Sequence, residues 1–182
     1  MTTFEIRTFG DPVLRQRARE VTDLDADLAR LADTMIETMR DAHGVGLAAP
    51  QIGVQKRLYT YDVDELIERG ATGVGPGVLV NPEIVDAHGE SVYEEGCLSV
   101  PGLHFDIVRP EVVTVRALDL DGNEVLIEAD DFMARVIQHE IDHLDGILVL
   151  DRLDADTRKV ALRELRTRAF DGAAPAGVAS RL

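Results

Sequence analysis

Cysteine is almost absent: the chain has one, Cys97, in 182 residues. A single thiol forms no internal disulfide, which suits a reducing compartment and raises the question of why it is there. No apolar run approaches the roughly 20 residues that a membrane-spanning helix needs, and the N-terminus lacks the basic-then-apolar order of a signal peptide. The expectation is a soluble, cytoplasmic protein with no membrane partner. Basic residues are the minority, 19 against 34 acidic, for a formal charge of −15. Such a surface disfavours DNA and anionic lipid. One segment runs against it: from Arg152 to Phe170, six basic side chains accompany three acidic ones. Internal repeats are also missing. Residues 44–53, GVGLAAPQIG, lack the Gly-Lys-Ser/Thr ending of a phosphate loop; their glycines and proline suit a connection that approaches something bound.

Hydrophobic residues make up 45% of the chain, enough for one domain spanning residues 1–182 with its own core. The stretch from Gly172 to Leu182 is small-residue-rich and reads as a flexible tail. A strand is expected around Phe4–Ile6, then a turn at Gly10-Asp11-Pro12. A helix follows, capped by Thr22 or Asp23, with Leu28, Leu31, Ala32, Met35, Ile36 and Met39 on one face until Gly44 stops it. Arg57–Tyr61 suggests a strand, Gly70–Gly77 a glycine-rich loop, and Val78–Asn81 and Glu83–Val85 two short strands around Pro82. Glu111–Leu118 and Glu124–Ala129 pair across the Asp121-Gly122 turn. A last helix is expected near Asp156–Phe170, with Val160, Leu162 and Leu165 apolar. Strands crowd the first two thirds, which argues for an α+β fold, small antiparallel sheets around a central helix plus a C-terminal helix.

That central helix carries Gln138-His139-Glu140-Ile141-Asp142-His143. Two histidines four apart fall on one helical face, so both imidazoles can reach one divalent ion, with Glu140 beside them to handle protons. Phe132, Val136, Met133, Ile137 and Leu144 supply the apolar face, and Asp130 or Asp131 can cap the start. The pair alone leaves two readings open, a metal site or a chance pattern whose histidines make ordinary hydrogen bonds. A third ligand decides between them. Cys97, 42 residues earlier, is either a small buried hydrophobe or the thiolate that completes a site with an open fourth position. Glu164, 21 residues after His143, is the rival, in the manner of thermolysin-like metallopeptidases, although its arginine-rich surroundings suit an ion pair.

GVGLAAPQ, EGCLS and QHEIDH, in this order, resemble the three motifs of the peptide deformylases. The likeness extends to RTFGDPVLR and RALDLDGNEV, and the basic last helix is more like that of the bacterial type I members. The resemblance implies a metal-dependent hydrolase that removes the formyl group from N-formylmethionyl peptides and releases formate. It implies that Cys97, His139 and His143 hold the ion, that Glu140 is the general acid/base, and that the Gln51 side-chain amide and Leu98 N–H face the oxyanion. The methionine pocket maps onto Val45, Tyr93, Phe132 and Val136. Backbone at Val45 and Gly96 pairs the peptide as an added strand, and Gly46 joins this substrate-binding set. Iron(II) is the ion expected in the cell; zinc, nickel and cobalt suit the same donors. Arg109 is expected to pair with Asp142 beneath the site, and the basic last helix to meet the ribosome. His43, His88 and His104 are expected at the surface or in loops.

Overall fold

The computed structural model describes residues 3–63 and 76–170. Most of the expected 70–77 loop and the tail from Gly172 lie outside the described residues. The order is α1 (Ala26–Asp41), β1 (Gly46–Ala48), β2 (Leu58–Tyr61), β3 (Gly77–His88), β4 (Ser91–Gly96), β5 (His104–Arg109), β6 (Val112–Leu118), β7 (Glu124–Asp130), α2 (Asp131–Leu144) and α3 (Ala155–Phe170). Five strands form one antiparallel sheet in the order β1-β2-β3-β6-β7, and β4 pairs with β5 alone. This is the expected α+β arrangement. No helix among the described residues is long and apolar enough to cross a membrane.

The local departures from expectation have local causes. Residues 4–6 form no strand. Their backbone is used elsewhere: the Phe4 N–H donates to Thr38 Oγ1 and the Arg7 N–H to the Gln51 carbonyl. Asp25, rather than Thr22 or Asp23, caps α1, accepting from the N–H groups of Asp27 and Leu28 at 3.0 and 2.9 Å. The two short strands around Pro82 are one strand, β3, made irregular between Val80 and Glu83. Proline has no N–H for the ladder, and Asn81 before it turns to φ 51°. Its side chain then bonds both backbone groups of Val21, each at 2.9 Å. The β6–β7 hairpin is as expected, with Asp119 Oδ1 accepting from Asp121 and Asn123 N–H and Gly122 at φ 84°. On α3, Ala161 is buried and Leu162 and Leu165 are half-buried, but Val160 faces solvent at 62% exposure.

What positions the site is α2. Its whole length from Ala134 to Leu144 is buried. Val136, Ile137, Ile141 and Leu144 pack with Tyr59, Val113 and Val115 of the sheet. Each such side chain stabilises by about 1.5–3 kcal/mol on full burial. Asp130 precedes the helix in extended conformation, yet its side chain makes no capping bond, and Asp131 enters at φ 44°. At the other end Arg57, just before β2, covers the helix C-terminus. It donates to Asp145 Oδ1 at 2.7 Å and reaches the Leu144 carbonyl at 3.5 Å. The α1 stripe forms a second cluster with Leu47, Ala49, Ile52 and Leu58. Two segments meet α2: residues 44–52, and residues 95–97, through Glu95 and Cys97.

Candidate metal centre

Helical spacing places the His139 and His143 rings 5.0 Å apart, centroid to centroid, at 71°. Cys97 follows the last residue of β4, and its Sγ lies 3.2 Å from His143 Nε2. The three potential ligand atoms all lie within 4.8 Å of one another, and all three residues are buried. Among the described residues this is the only group of its kind. One sulfur and two imidazole nitrogens, converging out of water with no fourth His, Cys, Asp or Glu in the group among the described residues, fit a divalent ion such as zinc or iron(II). Burial, more than the neighbouring His139, pushes His143 well below its ordinary pKa, so it is a neutral ring with a free lone pair. Glu164 is not part of this group. It lies half exposed on α3 and pairs with Arg168 four residues on, which removes the alternative third ligand.

Beneath the ligands is a charged network of which the sequence reading named only the Arg109–Asp142 pair. Glu95 is fully buried. It accepts from Arg109 Nε and Nη2 at 2.6 and 3.0 Å, from Arg135 Nη1 at 2.9 Å and from His139 Nδ1 at 3.0 Å. Burial alone would raise its pKa, but the hydrogen bonds from His139 and Arg109 outweigh it and hold the carboxyl well below the usual range. An ionised Glu95 therefore accepts a hydrogen bond from His139 Nδ1–H and leaves Nε2 as the ligand atom. The expected Arg109–Asp142 pair is present at 2.8 Å, and Arg152 joins it from the far side, its Nε 3.0 Å from Asp142 Oδ2. Arg152 is itself exposed, but its charge is matched by the buried Asp142 and is not free on the basic face. Two signals for this network exist in the sequence: Glu95 lies two residues before Cys97, and Arg135 lies four before His139, in the otherwise apolar run Phe132–Ile137.

Glu140 is 2% exposed, and burial pushes its pKa up to about 7. Its Oε2 has no hydrogen-bond partner. The carboxylate fits because β1 opens with glycine: a Cβ on Gly46 would lie 2.3 Å from Glu140 Oε1. A cavity opens here, lined by Gly44, Val45, Gly46, Gln51, Gly96, Cys97, Leu98, His139 and Glu140. Of the expected pocket residues, Val45, Gly46 and Gly96 line it. Phe132 and Val136 do not; they belong to the core cluster under the sheet. Tyr93 is 43% exposed, its hydroxyl donates to Asp131 Oδ1 at 2.8 Å, and Arg135 lies over its ring. His43 and His88 are exposed and His104 is half-buried at the start of β5.

Comparison with known proteins gives a consistent picture. Residues 3–159 match the family model for polypeptide deformylase. A peptide deformylase of Acidothermus cellulolyticus is 45% identical over 172 residues, covering 94% of this chain and 91% of that protein. One of Clostridium botulinum is 49% identical over 152 residues, covering 84% and 97%. Among solved structures, a peptide deformylase from Legionella pneumophila superposes with a TM-score of 0.84 at 43% identity, covering 96% of this chain and all of that one. The Ehrlichia chaffeensis enzyme in complex with actinonin gives 0.85 at 41% identity, covering 92% and 98%.

Proposed function

The chain belongs to the peptide deformylase family, and from that premise we propose how its own residues divide the work. The reaction is the family's: a metal-dependent hydrolysis that removes the N-formyl group from the formylmethionine of nascent polypeptides and releases formate. Cys97, His139 and His143 hold the ion, within one catalytic domain. What carries this reading is the convergence of their donor atoms to within 4.8 Å in a buried setting. When bound, the ion supplies Lewis acidity and makes hydroxide available near neutral pH. Iron(II) is the ion we favour in the cell; zinc, nickel and cobalt suit the same donors.

Glu140 is the proton carrier. A carboxyl raised to about 7 exchanges protons readily at neutral pH, accepting one from the attacking water and delivering it to the departing amine. The formyl C–N bond breaks, water's oxygen stays with formate, and the amine leaves as a free N-terminus. Gln51 Nε2 and the Leu98 N–H donate to the carbonyl oxygen as it gains negative charge. Backbone at Val45, Gly46 and Gly96, beside the cavity, pairs with the peptide in extended form. Tyr93, Phe132 and Val136 complete the methionine pocket in this reading, although the free chain keeps them outside the cavity. A formyl carbon bears only hydrogen, so a tight approach excludes an acetyl methyl group.

The test compares Cys97→Ala with Glu164→Ala for metal retention and for formate release from formyl-Met-Ala-Ser under anaerobic conditions. Cys97→Ala is expected to lose both and Glu164→Ala neither; the reverse would overturn the ligand set. For partners, we propose that α3 meets the ribosome in the cytoplasm. Lys159, Arg163 and Arg166 have no ion-pair partner among the described residues, whereas Arg158 and Arg168 are paired. Charge reversal at Arg163 and Arg166 should abolish ribosome co-sedimentation, and unchanged co-sedimentation would dismiss the contact.

A further inference from the structure

Gln51 and Ser99 come from segments 48 residues apart and are both buried, at 1% and 0% exposure. A glutamine amide has an accepting end and a donating end, and its orientation decides what it can do. Here the Ala48 N–H at the end of β1 requires an acceptor, and Gln51 Oε1 provides it at 2.8 Å. That bond fixes which end is oxygen. Nε2 must then occupy the other end, where one of its two N–H groups is directed at Ser99 Oγ, 3.3 Å away. The second N–H is left for the cavity, which Gln51 lines.

Ser99 is itself held in place. Its carbonyl accepts from the Phe9 N–H at 2.7 Å, and the turn it belongs to is closed by the Val100 N–H donating to the Cys97 carbonyl at 2.9 Å. One turn therefore carries the Cys97 thiol, the Leu98 N–H and the hydroxyl that meets the Gln51 amide. We propose that Ser99 is a positioning residue for the reaction: its Oγ, together with the Ala48 N–H, clamps the Gln51 carboxamide so that one Nε2–H points into the cavity. The clamp ties the oxyanion donor of one segment to the ligand turn of another, so both donors keep their spacing to the thiol. This rests on the reading of Gln51 as an oxyanion donor.

Four proteins at equal metal content test it: the natural chain, Ser99→Ala, Gln51→Ala and the double variant, assayed for kcat and KM on formyl-Met-Ala-Ser. Gln51→Ala is expected to lower kcat by about 100- to 1000-fold, the loss seen when one oxyanion donor is removed. Ser99→Ala is expected to lower kcat by about tenfold, the worth of one buried hydrogen bond, with KM nearly unchanged. In the Gln51→Ala background the same change should have no further effect, because the amide it orients is gone. Ser99→Thr, which retains the oxygen, should stay near the natural kcat. In the metal-free protein the Gln51 side-chain amide protons should shift on Ser99→Ala. A normal kcat for Ser99→Ala, or an equal loss in both backgrounds, overturns the clamp while leaving Gln51 its role. A normal kcat for Gln51→Ala overturns the oxyanion reading, and the clamp falls with it.

Discussion

Alanine at position 46 should slow the enzyme through Glu140 and through nothing else. Gly46 opens a strand, its φ is outside the left-handed region, and its backbone accepts an L-residue without strain. The difficulty is space. The added Cβ would stand 2.3 Å from Glu140 Oε1, 2.8 Å from Cδ and 3.0 Å from Cγ. Non-bonded contacts of this kind settle about 1 Å further out, so the carboxylate must retreat by about 1 Å. It cannot retreat freely, because Ala134 to Leu144 are buried throughout. A misplacement of that size costs about 100-fold in rate, or about 2.7 kcal/mol in the barrier. The assay is steady-state formate release by Gly46→Ala at matched metal content, with kcat and KM resolved. The loss should fall on kcat, since the backbone groups at position 46 survive the change, and it should vanish when Glu140→Gln is already present. A Gly46→Ala enzyme with kcat within threefold of normal, or with its whole loss in KM, would refute the reasoning.

Three further outcomes follow from the packing. Glu95→Gln leaves Arg135 without its buried counter-charge and Arg109 with Asp142 alone, and should cost about 3–5 kcal/mol of stability in urea unfolding, with metal affinity falling about 10- to 100-fold. Because the folded-state pKa of Glu95 is depressed, its contribution is fully present above the ordinary value of 4.5 and declines as pH falls below it. The stability gap between the natural chain and Glu95→Gln should therefore narrow on acidification; a gap that widens would contradict the assignment. Arg57→Met keeps the aliphatic stem but loses the bonds to Asp145, the Leu144 carbonyl and the Pro82 carbonyl, and should cost about 2–3 kcal/mol, read from the urea midpoint. Removal of metal by a chelator should abolish formate release while leaving far-UV dichroism unchanged, since Glu95 holds His139 and, with Asp142, balances the charge of Arg109 and Arg135; unfolding on chelation would show that the network is not self-sufficient.

The parts legible in the sequence are those decided by neighbours along the chain. Helical spacing placed His139 and His143 on one face, Asp121-Gly122 announced its hairpin, and the Leu28–Met39 stripe marked α1. The α1 cap was missed because Thr22, Asp23 and Asp25 are all able caps, and only the geometry singles out Asp25. Pro82 read as a break because proline usually interrupts a ladder, yet here an irregularity absorbs it within β3. The pairing of β4 with β5 was not read at all: HFDIVR is short, and its partner lies across the loop that carries Cys97. That pairing brings Arg109, opposite Ser91, to within side-chain reach of Glu95, a contact between residues 14 apart that spacing along the chain does not specify. Arg109 with Asp142 was expected as a brace beneath the motif helix, and the pair is present. Charge counting registered Arg152 in the basic segment but not its pairing with Asp142, which only the fold brings about.

X-ray absorption at the metal edge of anaerobically purified protein addresses the ligand set without passing through activity. The account predicts one sulfur at about 2.3 Å and two imidazole nitrogens near 2.0–2.1 Å, with one further light scatterer that exchanges with solvent. The sulfur shell should disappear in Cys97→Ala. A natural-chain spectrum with no sulfur neighbour, or one with four protein donors and no exchangeable position, would contradict it.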